Sequence, residues 1–172
     1  MRHPSEQTRE HLRWTVTAAL MAAFITLVTA YVLHVPFPGG YVHIGDTLIY
    51  LAACLLPLPY AVAAGAIGAG LADLLTYPVW VVPTLLIKAL VALLFTSRQE
   101  RILCRRNILA ALAACLVSPA AYGAAAVLLY GTPSSFLPQF LGTLVQAVSN
   151  GVLFLFLAPV LDRTGLKRRL QS

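Results

Sequence analysis

Residues 107–161 read NILAALAACLVSPAAYGAAAVLLYGTPSSFLPQFLGTLVQAVSNGVLFLFLAPVL, 55 consecutive positions without a charged side chain. A helix crossing the hydrocarbon core of a bilayer takes about 20 apolar residues at 1.5 Å each. The run is too long for one span and too apolar for water. Gly131-Thr132-Pro133-Ser134-Ser135 interrupts it with turn-forming residues, dividing it into spans at about 107–130 and 137–161. Composition agrees along the whole chain of 172 residues: 59% hydrophobic and 10% charged, where soluble domains carry roughly 25% charged residues. That excludes a disordered chain, a soluble nucleic-acid-binding domain and a disulfide-stapled secreted fold. The net charge of +6 reflects membrane topology, because the basic residues cluster outside the apolar runs.

Working outward, residues 14–33 form a first span, Trp14 to Leu33. It is longer than the apolar core of a signal peptide and is followed by bulky Val35 and Phe37, so it reads as retained. Residues 45–96 are apolar apart from Asp46, Asp73 and Lys88, and are cut by Pro57-Leu58-Pro59, Pro78 and Pro83. Three short helices follow, at about 46–56, 60–77 and 83–96. Parity supports three crossings there. Arg2, Arg9 and Arg13, then Arg98, Arg101, Arg105 and Arg106, then Arg163, Lys167, Arg168 and Arg169 hold eleven of the twelve basic residues. Lys and Arg near span ends mark the cytoplasmic side, so an even number of spans separates each cluster from the next. The expectation is an all-α integral membrane protein of the cell membrane: one domain over 1–172, six transmembrane helices, both termini cytoplasmic, and the bilayer as partner.

Small residues four apart let helices approach closely. They recur as Ala64-x-x-x-Gly68-x-x-x-Ala72, Gly65-x-x-x-Ala69, Ala18-x-x-x-Ala22 and Ala19-x-x-x-Ala23. Cys54, Cys104 and Cys115 are isolated and odd in number, so they read as small hydrophobes without redox or metal roles.

Ionisable residues inside a span face the bundle interior or an aqueous cavity. Asp46, Asp73 and Lys88 all lie toward the outer half. Asp46 fits either a helix N-cap or a site residue, and an Asp–Lys pair fits either a structural bridge or a pocket for a polar or cationic group. Gln139, Thr143, Gln146 and Asn150 fall at i, i+4, i+7 and i+11, one face of the last span, with Asn150 and Gln146 the leading ligand candidates. Tyr50, Tyr77 and Trp80 stand near the carboxylates, whereas Tyr41 reads as part of the interfacial aromatic belt. His34 and His43 flank the Pro-Gly loop 35–40, and His43 is either a lid residue or an exposed loop histidine. The expected substrate-binding set is His43, Asp46, Tyr50, Asp73, Tyr77, Trp80, Lys88, Gln146 and Asn150. These side chains suit a flat heterocycle that can hydrogen-bond. There is no H-E-x-x-H, G-x-S-x-G, P-loop or dinucleotide fingerprint, so no enzyme, catalytic residue, metal, cofactor or nucleic-acid partner is expected.

Gly40-Tyr41-Val42-His43-Ile44-Gly45-Asp46 and the run Gly65-Ala66-Ile67-Gly68-Ala69-Gly70-Leu71-Ala72-Asp73-Leu74-Leu75, followed by Tyr77-Pro78, Pro83-Thr84 and Ile87-Lys88, resemble the substrate-binding S components of energy-coupling-factor (ECF) vitamin transporters. The motifs cover about 40–90, and the six-span topology extends the likeness along the chain. The resemblance implies capture of a vitamin or precursor near the extracellular face under a lid between the first two helices. It also implies a membrane coupling subunit and two ABC ATPases as partners, and toppling of the chain in the membrane to release its cargo. The coupling subunit would contact A-x-x-x-A motifs on the first helix, Ala18/Ala22 or Ala19/Ala23. His43, Asp46, Asp73, Lys88 and Asn150 are the pocket residues it carries over. The two acids and the scarcity of tryptophan lean toward a hydroxymethylpyrimidine- or pyridoxine-like ring. The competing expectations are a self-sufficient proton-coupled transporter using Asp73, an intramembrane enzyme, and a purely structural subunit.

Overall fold

The computed structural model describes residues 4–37 and 40–171. Arg2 and the Pro38-Gly39 tip lie outside the described residues. The elements are α1 (Pro4–Tyr31), β1 (Val35–Phe37), β2 (Gly40–Val42), α2 (Gly45–Leu55), α3 (Leu58–Thr76), α4 (Val81–Leu94), α5 (Arg105–Tyr130), α6 (Phe136–Thr164) and α7 (Leu166–Gln171), with single 3₁₀ turns at Pro78–Trp80 and Pro133–Ser135. Helices stand at all six expected positions. Their ends follow local chemistry. The proline pair breaks the chain between α2 and α3, with Pro59 in the first turn of α3, where a missing N–H costs no hydrogen bond. Pro83 likewise falls in the first turn of α4, which begins at Val81, two residues before the expected start at 83. Gly131, at φ 68°, ends α5 in the left-handed conformation that glycine adopts without strain.

Four helices, α1, α3, α5 and α6, are long and apolar enough to cross a membrane. With 11 and 14 residues, α2 and α4 reach only about 16 and 21 Å at 1.5 Å per residue, less than the ~30 Å hydrocarbon core. The surface is apolar, as lipid requires: Leu128, Phe156, Leu86 and Leu116 are each more than two-thirds exposed. Polar side chains are instead turned inward, including Asp46, Asp73, Lys88 and the four residues of the α6 stripe. The outside of this protein is oily and much of its polarity is internal.

Helix α2 is the axis of the bundle. All of its residues except Leu48 are buried, and it packs against α1, α3, α4 and α6. Helices α1 and α3 cross very closely at Gly68, where a Cβ would stand 2.7 Å from the Ala22 carbonyl oxygen. Thr26 Oγ1 reaches the Gly68 carbonyl there at 2.8 Å. Ala18 and Ala22 are buried in the bundle, while Ala19 and Ala23 face outward.

The connection between α1 and α2 is not a plain loop. Strands β1 and β2 pair antiparallel with Val35 opposite Val42, Pro36 opposite Tyr41 and Phe37 opposite Gly40. Three residues per strand are too few for a period-two pattern to stand out, and Pro36 and Pro38 argue locally against a strand. The hairpin folds over the end of the bundle opposite the chain termini.

Candidate functional site

At the hairpin end, five helices, a 3₁₀ turn and the hairpin converge on one polar cavity. Thr29 comes from α1, Tyr41 from β2, and His43 from the joint before α2. Ala69 and Asp73 come from α3, Trp80 from the 3₁₀ turn, Thr84 and Lys88 from α4, Tyr122 from α5, and Gln139 and Gln146 from α6. The free space among them is about 30 Å³, room for roughly a water or two.

One wall is an ion pair. Lys88 Nζ lies 2.7 Å from Asp46 Oδ1 and donates to Oδ2 at 2.9 Å, with both side chains 1% exposed. Gln146 Nε2 donates to the same Oδ2 at 2.9 Å. Asp46 therefore does not cap α2, whose N-cap residue Ile44 makes no side-chain cap bond. It neutralises Lys88 from beneath the cavity, and Lys88 Nζ also lies 5.0 Å from the Tyr122 ring centroid.

The opposite wall is built differently. The Tyr41 hydroxyl donates a hydrogen bond to Asp73 Oδ1, and Thr84 bonds the same carboxylate. Thr84 Oγ1 also pairs with the Tyr122 hydroxyl at 2.8 Å. Among described residues no cation is paired with Asp73. Tyr41 stacks on His34 at 3.9 Å between ring centroids and tilts against His43 at 5.4 Å. Burial, then the Asp73 charge, pushes the Tyr41 phenol pKa up, so Tyr41 is a committed donor. The expectation of a belt residue is corrected: Tyr41 lines the cavity and bonds Asp73. Its place beside Gly40 on a hairpin, rather than on a helix, concealed that role.

His43 is buried, and its Nδ1 accepts the Gly45 N–H at 3.0 Å. A backbone amide can only donate, so the neutral ring carries its proton on Nε2. Burial lowers its pKa to about 4, and it serves the cavity as an uncharged N–H donor. Two further lining atoms are buried without a hydrogen-bond partner among the described residues, Thr29 Oγ1 and Gln139 Oε1. Gln139 Nε2 makes only a 3.4 Å contact to Thr143 Oγ1. A buried acceptor left unpaired costs about 1–3 kcal/mol, a cost that a ligand with matching donors would relieve.

Of the nine residues expected from sequence, His43, Asp73, Trp80, Lys88 and Gln146 line the cavity, and Asp46 stands directly behind it. The other three lie elsewhere. Tyr50 is sealed among Phe95 and Phe154, at 4.7 and 6.0 Å. Tyr77 is partly exposed beside Tyr130. Asn150 bridges α6 to the start of α2: its Oδ1 accepts from Thr47 N at 2.8 Å and Thr47 Oγ1 at 2.9 Å, and its Nδ2 donates to the carbonyls of His43 at 2.7 Å and Gln146 at 2.8 Å. It satisfies one of the free N–H groups of a helix start from a different helix. Thr29 and Tyr122 carried no sequence signal, being residues that spans tolerate anywhere; Ala69 and Thr84 stood in quoted motifs without being singled out as site residues, and Gln139 was the first member of the α6 stripe.

The sequence matches the family described as ECF-type riboflavin transporter, S component, over residues 11–163. The chain belongs to that family. It is thus the substrate-binding subunit of a vitamin-type transporter, and membrane-embedded. The family match spans every element that lines the cavity. An uncharacterized protein in a gap 3′ region of Pyrococcus woesei is similar as well, at 32% identity over 134 residues, 73% of this chain and 86% of that protein. The S-component resemblance expected from Gly40–Asp46 and Gly65–Leu75 is therefore correct.

Proposed function

We propose that this S component captures a flat nitrogen heterocycle at the hairpin end of the bundle and hands it to an ATP-driven module of one membrane coupling subunit and two ABC ATPases. The observation that carries the reading is the cavity's imbalance: the charges of Asp46 and Lys88 cancel each other, while Asp73, Thr29 Oγ1, Gln139 Oε1 and the His43 Nε2–H have bonding capacity left for a guest. An aminopyrimidine-like edge suits them, with amine hydrogens toward Asp73 and Gln139 Oε1 and a ring nitrogen accepting from His43 or Gln139. Trp80 and Tyr122, 5.5 Å apart between ring centroids, offer faces for the ring. The closed cavity has to widen for any ring, and a single ring of the hydroxymethylpyrimidine or pyridoxine kind demands the least opening. The family description supports a second reading, riboflavin, whose larger ring system demands a wider opening.

Entry at this end requires Tyr41 to release Asp73 and the hairpin to lift, which makes the hairpin the lid. In the membrane we place six crossings with both termini cytoplasmic, α2 and α4 being short crossings within a sheath of longer helices. Of the two small-residue registers on α1, the outward pair Ala19 and Ala23 is free to meet the coupling subunit, because Ala18 and Ala22 are occupied within the bundle.

Vesicles test the transport step. The purified chain, reconstituted alone, is expected to bind one radiolabelled ring compound without accumulating it, with or without a proton gradient. Adding the coupling subunit, the ATPases and ATP is expected to start uptake. Accumulation driven by a proton gradient in the chain alone, lost in Asp73→Asn, would overturn this reading in favour of a proton-coupled carrier.

A further inference from the structure

The opposite end of the bundle carries a feature that vitamin capture does not use. Two clefts meet there, of about 490 and 360 Å³. Arg101, Lys167 and Arg168 line the first and Arg101 and Arg163 the second, so Arg101 belongs to both. The acids present are Glu100 and Asp162. Asp162 is already engaged, accepting the backbone N–H groups of Ile102 at 2.7 Å and Leu103 at 3.0 Å. Cations outnumber acids four to two around the joined clefts.

Helix α7 creates this arrangement. Gly165, at φ 67°, turns the chain back after α6, and Leu166 and Leu170 pack against the core. The turn brings the Arg168 guanidinium within 3.7 Å of the position a Gly165 Cβ would occupy. Lys167 is 3% exposed, and its Nζ has no hydrogen-bond partner among the described residues. An ammonium held out of water without a partner is unfavourable, and an anion in the adjoining cleft would supply one.

We propose that this end of the bundle binds the phosphate of an anionic phospholipid, held by Arg101, Arg163, Lys167 and Arg168. The shared chemistry is a phosphate anion, which a lipid head group or free phosphate can provide. The shape points to the lipid. The second cleft is walled by apolar Leu103 and Pro159 as well as by Arg101 and Arg163, and α6 continues along the lipid-facing side through exposed Val160 and Phe156. A head group in the clefts would thus lead its acyl chain onto an apolar helix face at the depth where the span begins. The proposal does not rest on the vitamin reading.

Native mass spectrometry of the full-length protein with equal amounts of dioleoylphosphatidylglycerol and dioleoylphosphatidylcholine tests it, with and without millimolar inorganic phosphate. The expected result is a preference for the phosphatidylglycerol of about tenfold or more, given the attraction of each basic residue for anionic lipid, retained in phosphate. Lys167→Met removes an unpartnered buried charge and is expected to fold normally while losing the preference. Arg101→Gln changes an exposed side chain and is expected to weaken it. Equal retention of the two lipids, or a preference unchanged in both variants, would overturn the proposal. Displacement of the phosphatidylglycerol by inorganic phosphate would overturn the lipid assignment in favour of the free anion.

Discussion

Asp73 lines the cavity and Asp46 stands behind it, both buried, and the two acids do different work. Asp46 is locked to Lys88 and Gln146 by side chains from α4 and α6, so three helices are bound together around a neutral pair. Asp73 is met by the hydroxyl of Tyr41 from a two-stranded hairpin and by Thr84. A carboxylate satisfied by a buried ammonium is part of the scaffold, because releasing it leaves two bare charges in lipid. A carboxylate satisfied by a hydroxyl on a short hairpin can exchange that partner for a ligand. The contrast teaches that an intramembrane charge marks a site only when its partner can leave.

The largest effect separates the two sides. Lys88→Met leaves Asp46 buried and unpaired, and breaking a buried pair in this way costs about 3–5 kcal/mol. Thermal unfolding in detergent is expected to show a large loss, with most of it recovered in the double variant Asp46→Leu/Lys88→Met. A Lys88→Met protein as stable as wild type would place Asp46 among the exchangeable groups.

Next in size is a dependence on pH through His43, which is buried near Asp46 and Lys88. Its pKa is lowered in the folded state to about 4 from an ordinary 6.5. The unfolded chain therefore takes up a proton at this position more readily. Its contribution is fully present above pH 6.5 and is lost as pH falls toward 4, by up to about 3 kcal/mol at 1.36 kcal/mol per unit. Unfolding followed from pH 7 to 4 is expected to show this loss, and His43→Gln is expected to flatten that part of the profile.

Asn150→Ala comes third. It strips the bonds that hold Thr47 and the His43 carbonyl to α6, and about 1–3 kcal/mol of stability is expected to go with the unpaired groups. If Asn150 contacts ligand directly, affinity falls while unfolding stays unchanged; the geometry predicts the reverse order of sensitivity. The smallest stability effect is expected at Tyr41→Phe, about 1 kcal/mol or less for one lost hydrogen bond. Its signature is kinetic: a lid that opens more readily exchanges ligand faster in stopped-flow measurements. An unchanged exchange rate would detach Tyr41 from the lid role.

These contrasts also mark what was readable in the residues alone. The positions of all six helices follow from prolines and charge clusters, since lipid imposes a strict rule on where charge and broken backbone can stand. The inward stripe Gln139–Asn150 was legible for the same reason. The partnership of Asp46 with Lys88 rather than Asp73 was not, because it depends on which faces of α2, α3 and α4 meet in space. Asn150 shows the same limit from the other side: its polarity signalled an interior position, but its partner is a helix start 103 residues away in the chain. The hairpin was hidden by its brevity and its prolines. With it went the role of Tyr41, whose aromatic ring at a membrane boundary looks like an anchor.

The most direct test of the account is equilibrium binding read by the tryptophan in the cavity. With Trp14 replaced by phenylalanine, Trp80 is the remaining tryptophan, and it lines the site. Titrating that protein in detergent with hydroxymethylpyrimidine, pyridoxine, riboflavin and other vitamins is expected to give saturable quenching with one compound. Gln139→Ala and Asp73→Asn are each expected to weaken it about tenfold without unfolding the protein, a tenfold loss being 1.4 kcal/mol. Folded protein whose Trp80 responds to none of the compounds, or responds equally with Gln139 and Asp73 replaced, would contradict vitamin capture at this cavity.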